Sequence, residues 1–259
     1  MIISNEEIKN YLNNIPPIPQ HLKNSLKFLK EGNIQKAAIE ADKDLVLKHK
    51  IKSIINSAYF SLQKQVDDTL QIFTLLGLEM SINILYAHLV SLLSPKEWKF
   101  FNINFEDFQA EFLNLYEKWV IDEFNQDVYK KYYELGALIP ISVAVAENIL
   151  QDKKEKIDII LSNTPLEIGT LFKRLTNISL FELASKIAII WEIDSEKAQI
   201  LKESECIKCS NKLSALIHTL FFYIVSKPQF FELNSFIEFN PKSLDLIPKT
   251  KERILNEHK

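Results

Sequence analysis

The scarcity of glycine constrains the fold of this chain more than any other feature of its sequence. Only four glycines occur among its 259 residues. Folds built from strands and hairpins need glycine in tight turns where φ is positive, so this chain is poorly suited to them. Instead, segments rich in Leu, Ile, Lys, Glu and Ala alternate with Asn, Asp, Ser and Pro, which is typical of successive helices. The sequence therefore predicts an all-α protein.

The positions of the glycines also exclude several common sites. A Walker loop, a dinucleotide-binding fingerprint and a nucleophile elbow each need closely spaced glycines. Gly32, Gly77, Gly136 and Gly169 are widely separated in the chain, so none of these sites can be assembled. Any phosphate binding would have to use helix N-termini or side chains.

Charge and hydropathy narrow the range of partners and locations. The formal net charge is −3 and the isoelectric point is about 6.0, which gives no support for nucleic-acid binding as the main role, although a local basic patch stays open. Residues 1–10 are acidic and poor in apolar side chains, unlike a signal peptide. The apolar stretch 213–225 is too short to span a bilayer and predicts a buried core helix. We expect a cytoplasmic protein without a membrane span.

Capping signals place several helices. Ser4 and Glu7 form a capping-box pattern at the start of a short helix. Asp44 is a good N-cap for a later helix. The apolar stripe of that helix is predicted to be buried and consists of Leu47, Ile51, Ile54 and Ile55. Farther along the chain, large apolar side chains repeat on one face of a long helix and are interpreted as core: Phe105, Phe108, Phe112, Leu115 and Trp119.

A proline-rich segment follows the first predicted helix. It consists of Ile15, Pro16, Pro17, Ile18 and Pro19. Proline fixes φ and removes backbone donors, so the segment is predicted to be an extended, stiff connector. Two isoleucines beside prolines that lose little entropy on docking also make it a candidate surface for a protein partner. The alternative is a connector with no other role.

Four motifs occur in a fixed order in the first part of the chain. The connector comes first, and Asp44-Leu45-Val46-Leu47 comes second. Asn56-Ser57-Ala58 begins nine positions after Leu47 and leads into Tyr59-Phe60, and Leu75-Leu76-Gly77-Leu78 comes last. This ordered set resembles the HDOD family of bacterial regulatory domains, which are relatives of the HD metal-dependent phosphohydrolases. Leu45 departs from the pattern, because the family has proline at that position.

The resemblance implies both a fold and a role. The fold would be an N-terminal helical bundle in residues 1–100, packed on a C-terminal, HD-derived helical lobe in residues 101–259. The role would be that of a non-catalytic output or scaffold module in bacterial signalling, with links to motility or stress regulation, which acts through contacts with one or more protein partners. Asn56 and Ser57 are candidate contact residues. The alternative for Asn56 is an amide that hydrogen-bonds backbone at the end of its helix and holds the turn into Tyr59.

The segment 136–142 resembles a degenerate form of the family's Gly-Leu-Leu-His-Asp-Ile-Gly motif. Ile139 and Pro140 stand where the His-Asp pair would be, and neither side chain can coordinate a metal. None of the five histidines is followed by an acid. We therefore expect no catalytic residues, no metal, no cofactor and no enzyme activity. Two alternatives stay open: a divergent metal-dependent phosphohydrolase with a relocated metal site, and a nucleotide or nucleic-acid sensor with a coherent basic face.

Cys206 and Cys209 form one further pattern with chemical potential. Two thiolates at this spacing could supply half of a zinc site, with His218 as a third ligand, but no other cysteine is present to complete the set. A thioredoxin-like redox role would need a βαβ context, which the sequence does not show. We expect two reduced cysteines near a helix start or in a loop, and a buried, hydrogen-bonded His218.

Overall fold

The computed structural model of the protein describes residues 3–56, 65–98, 105–151, 153–163, 168–227 and 239–257. Within these ranges every regular element is a helix, which confirms the all-α fold. The elements in chain order are α1 (Asn5–Asn13), α2 (Gln20–Lys30), α3 (Ile34–Ala41), α4 (Leu45–Ile55), α5 (Thr69–Leu93), α6 (Phe105–Glu123), α7 (Gln126–Tyr132), α8 (Glu134–Gln151), α9 (Lys154–Asn163), α10 (Ile168–Thr176), α11 (Leu180–Ile190), α12 (Ser195–Glu203), α13 (Lys212–Val225), a 3₁₀ helix (Pro241–Leu246) and α14 (Pro248–Glu257).

The helices form two compact units. One unit is Pro16–Leu92, and the other consists of Met1–Ile15 together with Leu93–Lys259. The two lobes predicted from the sequence, 1–100 and 101–259, stay a prediction. The packing units differ from those lobes because they place the first fifteen residues with the longer unit.

In the unit Pro16–Leu92, α2 and α3 pack closely against each other. The buried side of α3 is made of alanines, which let α2 approach, and the hydroxyl of Ser25 donates a hydrogen bond of 2.8 Å to the carbonyl of Ala37. The helix α4 begins at its predicted cap, Asp44, whose side chain accepts the N–H of Leu47. The buried stripe of α4 is narrower than predicted, since Ile54 is only half-buried.

Gly77 interrupts α5. Its φ of 75° and ψ of 172° lie outside the helical region. A Cβ at this position would meet nothing within 4 Å, so the backbone conformation, rather than a lack of space, requires glycine. The residue therefore divides α5 into two helical stretches.

Among the residues that the structure describes, two helices, α5 and α8, are long and apolar enough to cross a membrane by length and composition alone. Most of the apolar window of α8 is buried inside the protein, as in the core helix of a folded domain. The window of α5 is less buried and is interrupted by Gly77. The shorter stretch 213–225 lies in α13 and is buried along nearly its whole length, which confirms the prediction of a core helix there.

In the unit formed by Met1–Ile15 and Leu93–Lys259, α8 is buried along nearly its whole length, and α6 and α11 pack against it. Gly136 permits the close approach of α6, because a Cβ at this position would lie 2.6 Å from Cδ1 of Tyr116. The aromatic face of α6 is core, as predicted, although Leu115 is half-buried. Its buried members are Phe105, Phe108, Phe112 and Trp119.

Candidate functional site

Ile139 and Pro140, at the degenerate HD position, lie in the buried middle of α8. The carbonyl of Ile139 accepts a hydrogen bond of 2.7 Å from the hydroxyl of Ser142. Neither side chain at the HD position offers a ligand atom. Within the ranges that the structure describes, no group of three or more His, Cys, Asp or Glu side chains is placed to hold a metal ion. The segment contributes apolar core.

The proline-rich connector presents a smaller surface than the sequence predicts. Pro16 and Pro17 are exposed, whereas Ile18 and Pro19 are half-buried. Ile15 is only 7 % exposed. The prediction that Ile15 and Ile18 together offer a docking surface is therefore wrong for Ile15, because its side chain is already covered.

Asn56 hydrogen-bonds the end of α4 to the backbone of Val66, which lies ten positions farther along the chain. Its Nδ2 donates to the carbonyl of Lys52 at 2.9 Å and to that of Val66 at 2.8 Å. Its Oδ1 accepts the N–H of Val66 at 2.8 Å. This is the backbone-binding role that was the alternative to a contact residue, and its distant partner is Val66. Ser57 and Tyr59 lie outside the described residues.

Asp44 is a second polar junction of the unit Pro16–Leu92. Its Oδ1 accepts the N–H of Leu47 at 2.9 Å and so caps α4. Its Oδ2 accepts hydrogen bonds from His88 Nε2 at 2.9 Å and from His21 Nε2 at 3.3 Å. Burial opposes ionisation of this carboxyl, but the hydrogen bonds from Leu47, His88 and His21 outweigh it and hold the pKa of Asp44 below its ordinary value. One carboxylate thereby links α2, α4 and α5.

The ring of His88 depends on that carboxylate. His88 is almost fully buried, and its Nδ1 has no hydrogen-bond partner among the residues that the structure describes. A buried polar atom without a partner costs free energy, and Nδ1 is such an atom. The hydrogen bond from Nε2 to Asp44 offsets part of that cost. Sequence reasoning missed the junction, because its three members come from separate helices.

Leu45 and Val46 form an exposed apolar pair on the first turn of α4, which we call the Leu45–Val46 surface. They are 70 % and 69 % exposed, although the next residue, Leu47, is fully buried. In a helix with 3.6 residues per turn, three consecutive side chains cannot all face the core. Sequence reasoning missed this pair too, but the run of three apolar residues directly after a helix cap is a signal that could have found it.

Basic side chains border the Leu45–Val46 surface. Lys48 and His49 lie on the same side of α4 as Leu45, at the helical spacings of three and four residues, and His49 is exposed. Lys43 precedes the helix and pairs with Glu40 at 2.6 Å. Lys48 pairs with Asp42 at 2.8 Å. The surface therefore has an apolar centre and a charged border, in which Lys43 and Lys48 pair with acidic neighbours and His49 is exposed.

His218 is the buried, hydrogen-bonded histidine that the sequence predicts. Its Nδ1 donates to the carbonyl of Ser204 at 2.9 Å, and its Nε2 accepts the N–H of Asn240 at 2.9 Å. These partners define a neutral ring with its proton on Nδ1. The ring thus connects α13 with the loop after α12 and with the residue that caps the 3₁₀ helix.

The prediction of two reduced cysteines is wrong, because Cys206 and Cys209 are joined by a disulfide in the loop between α12 and α13. The sulfurs of a disulfide are not thiolates, so they supply no half of a zinc site. His218 could not complete such a site either, since both of its ring nitrogens are already engaged.

Comparison with known proteins identifies a family for most of the chain. A family model described as HDOD domain matches residues 15–205. No curated protein matches the chain.

Three solved structures share the fold. An HDOD domain protein of unknown function from Geobacter sulfurreducens has 14 % sequence identity and a TM-score of 0.67, with 95 % of this chain and 86 % of that chain covered. A protein from Shewanella amazonensis SB2B, provisionally named a phosphohydrolase, has 12 % identity and a TM-score of 0.65, with 86 % and 82 % covered. A protein from Marinobacter aquaeolei VT8, provisionally named a signal transduction protein, has 11 % identity and a TM-score of 0.68, with 97 % and 61 % covered. At these identities the likeness shows the fold.

Proposed function

The chain belongs to the HDOD domain family, and on that premise we propose that it is a non-catalytic regulatory module of bacterial signal transduction that binds another protein. The name of the Marinobacter aquaeolei relative supports a signalling role. The side chains of Ile139 and Pro140 are buried and carry no atom that can bind a metal, which supports the absence of hydrolysis. A cytoplasmic location and a part in motility or stress regulation belong to the same proposal.

The Leu45–Val46 surface is the observation that carries this proposal. Two adjacent large apolar side chains are exposed to solvent on α4. The position of this helix is fixed by the hydrogen bonds of Asp44 and Asn56. Burying a side chain of this size is worth roughly 1.5–3 kcal/mol relative to leaving it exposed. A partner that covers the pair therefore gains free energy, and a rigid helix loses little entropy when it docks.

The charges around this surface define the chemistry of the partner. The basic residues next to the surface are Lys43, Lys48 and His49. The surface pairs of Lys43 and Lys48 are partly exposed and hold these lysines only weakly, so carboxylates of a partner can compete for them. We therefore propose a protein partner whose contact surface has apolar side chains at its centre and acidic side chains at its border.

The two rival functions make different demands on this surface. A nucleic-acid sensor needs a continuous basic face, but here two exposed apolar side chains occupy the centre of the surface. A divergent phosphohydrolase needs a metal-ligand cluster, and the described ranges contain no such group. The proposed protein-binding module, which we call an adaptor, needs neither feature.

The test is quantitative affinity capture from the native organism with a paired variant. The double substitution Leu45→Ser with Val46→Ser should weaken the affinity for the specific partner about a hundredfold, since each of the two lost apolar contacts is worth about one tenfold step in affinity. Ile189→Ser is the matched control, because Ile189 is 63 % exposed but lies on α11 in the other unit. This control should leave capture unchanged.

The same preparations separate the rival functions. Both variants should retain the helical circular dichroism of the parent, so that a loss of capture reports on the surface. Equal capture by the double variant and the parent would show that the Leu45–Val46 surface does not bind the partner. Stoichiometric metal together with phosphodiester turnover that a chelator abolishes would overturn the non-catalytic proposal itself.

A further inference from the structure

The Cys206–Cys209 disulfide has different surroundings on its two sides. Cys206 is 1 % exposed, whereas Cys209 is half-buried and lies between the exposed residues Lys208 and Ser210. Ile207, between the two cysteines, is 75 % exposed. Cys209 is therefore the more accessible of the two cysteines to a thiolate in solution.

The start of the disulfide loop is anchored by hydrogen bonds that do not depend on the disulfide. The N–H of Cys206 donates to the carbonyl of Glu203 at 2.9 Å, and the carbonyl of Cys206 accepts from Asn240 Nδ2 at 2.6 Å. By contrast, residues 207–210 take part in none of the backbone–backbone hydrogen bonds that the structure describes outside the helices. The disulfide is thus a main constraint on that half of the loop.

Each sulfur also has a carbonyl oxygen at the distance of a thiol hydrogen bond. Sγ of Cys206 lies 3.9 Å from the carbonyl oxygen of Ser214, and Sγ of Cys209 lies 4.0 Å from that of Asn211. A thiol is a weak donor, so each cysteine gains an acceptor on reduction without rearrangement of its neighbours. The fold therefore accommodates the dithiol as well as the disulfide.

We infer that Cys206 and Cys209 form a site of reversible thiol–disulfide exchange, whose reaction partner is a dithiol and whose redox state controls the order of residues 207–210. This inference is independent of the Leu45–Val46 surface, which lies in the other unit. It agrees with the proposed cytoplasmic location, because disulfides in reducing compartments are usually transient or redox-sensing rather than structural.

The exchange proceeds in two steps. A thiolate of the partner attacks Sγ of Cys209, the bond between Cys209 and Cys206 breaks, and the electron pair leaves on Sγ of Cys206, which takes up a proton. The second thiolate of the partner then attacks the partner's own sulfur in the mixed disulfide and releases Cys209, which also takes up a proton. The partner ends as a disulfide and this protein ends as a dithiol, so two electrons and two protons have moved.

The test uses the intact protein purified without reductant. Iodoacetamide should label neither cysteine at first, both after treatment with dithiothreitol, and neither after the reductant is replaced by oxidised glutathione. Amide hydrogen exchange of residues 207–210 should become about tenfold faster on reduction, while exchange within α13 stays unchanged. Labelling of both cysteines without reductant, in protein that oxidised glutathione does not close, would overturn the inference. Unchanged exchange in the loop would also overturn it.

Single substitutions test the asymmetry between the two sulfurs. Cys206→Ser leaves the accessible Cys209, which should form a mixed disulfide with oxidised glutathione. Cys209→Ser leaves the buried Cys206, which should react about tenfold or more slowly, because reactivity follows exposure. Equal rates in the two variants would contradict attack at Cys209.

Discussion

The Nε2 atom of His88 lies 2.9 Å from Oδ2 of Asp44, although 44 positions separate the two residues in the chain. The same carboxylate caps the helix that displays Leu45 and Val46. Asp44 therefore has two roles: it caps the start of α4, and it links that helix to α5 through its hydrogen bond with His88. A surface on the first turn of α4 is held in place by the residue directly before it.

Asp44→Ala should destabilise the protein by about 2–4 kcal/mol. The loss of an N-cap costs roughly 0.5–2 kcal/mol, and a buried ring left without its polar partner costs about 1–3 kcal/mol. Urea unfolding followed by circular dichroism measures the change. Asp68→Ala is the matched control, because Asp68 caps the start of α5 from an exposed position through the N–H of Gln71. If both variants lose the same stability, the histidine contacts contribute nothing.

Asn56→Ala should cost about 1–3 kcal/mol of unfolding free energy, because the carbonyl and the N–H of Val66 lose their partner together. Asn14 makes the same kind of bond to a carbonyl four residues earlier, but on an exposed helix end. Asn14→Ala should therefore have little effect in the same denaturation experiment. Unchanged stability of Asn56→Ala together with loss of partner capture would move Asn56 from the fold to the interface.

The carboxyl of Glu7 should titrate at a pKa of about 2, below its ordinary value of 4.5. The N–H of Ser4 is the main cause, and the ammonium of Lys153 and the hydroxyl of Ser4 add to it. A group with a lowered folded-state pKa contributes stability above its ordinary value and loses it as the pH falls towards the folded value. Carboxyl NMR titration measures the midpoint directly. Lys153→Ala should raise the midpoint towards 4.5, and no movement would contradict the assigned contact.

Lys197→Ala should be strongly destabilising, by about 3–5 kcal/mol, because it removes a cation from the buried carboxylate of Glu134. The exposed pair of Lys131 and Glu196 provides the comparison, and Lys131→Ala should leave the unfolding midpoint unchanged. Thermal and urea unfolding of the two variants side by side decide the matter. Equal unfolding midpoints of the two variants would show that burial of Glu134 does not strengthen its ion pair with Lys197.

Local features of the fold could be predicted from the sequence, and distant ones could not. The caps at Ser4 and Asp44 depend on a few neighbouring residues, so composition and spacing were sufficient. The junction at Asp44 brings in His21 and His88, whose separation in the chain hides their proximity. Their positions follow from the packing of three helices, which no short pattern encodes.

The candidate site was harder to predict than the fold. Ile15 looked exposed because prolines follow it, but packing buries it. The exposure of Leu45 and Val46 follows from helical geometry once Leu47 is assigned to the core, so this part was within reach of the sequence. The pairing of Cys206 with Cys209 was not, since it depends on how the folded loop places the two side chains.

Site-specific photo-crosslinking in living cells tests the adaptor account most directly. A benzoylphenylalanine placed at Val46 should crosslink to one protein partner, and the crosslink should weaken when Lys48 is replaced by Glu. The same amino acid placed at Ile189 should not crosslink to that partner, because Ile189 is comparably exposed but lies far along the chain in the other unit. A crosslink from position 189 and none from position 46 would contradict the account.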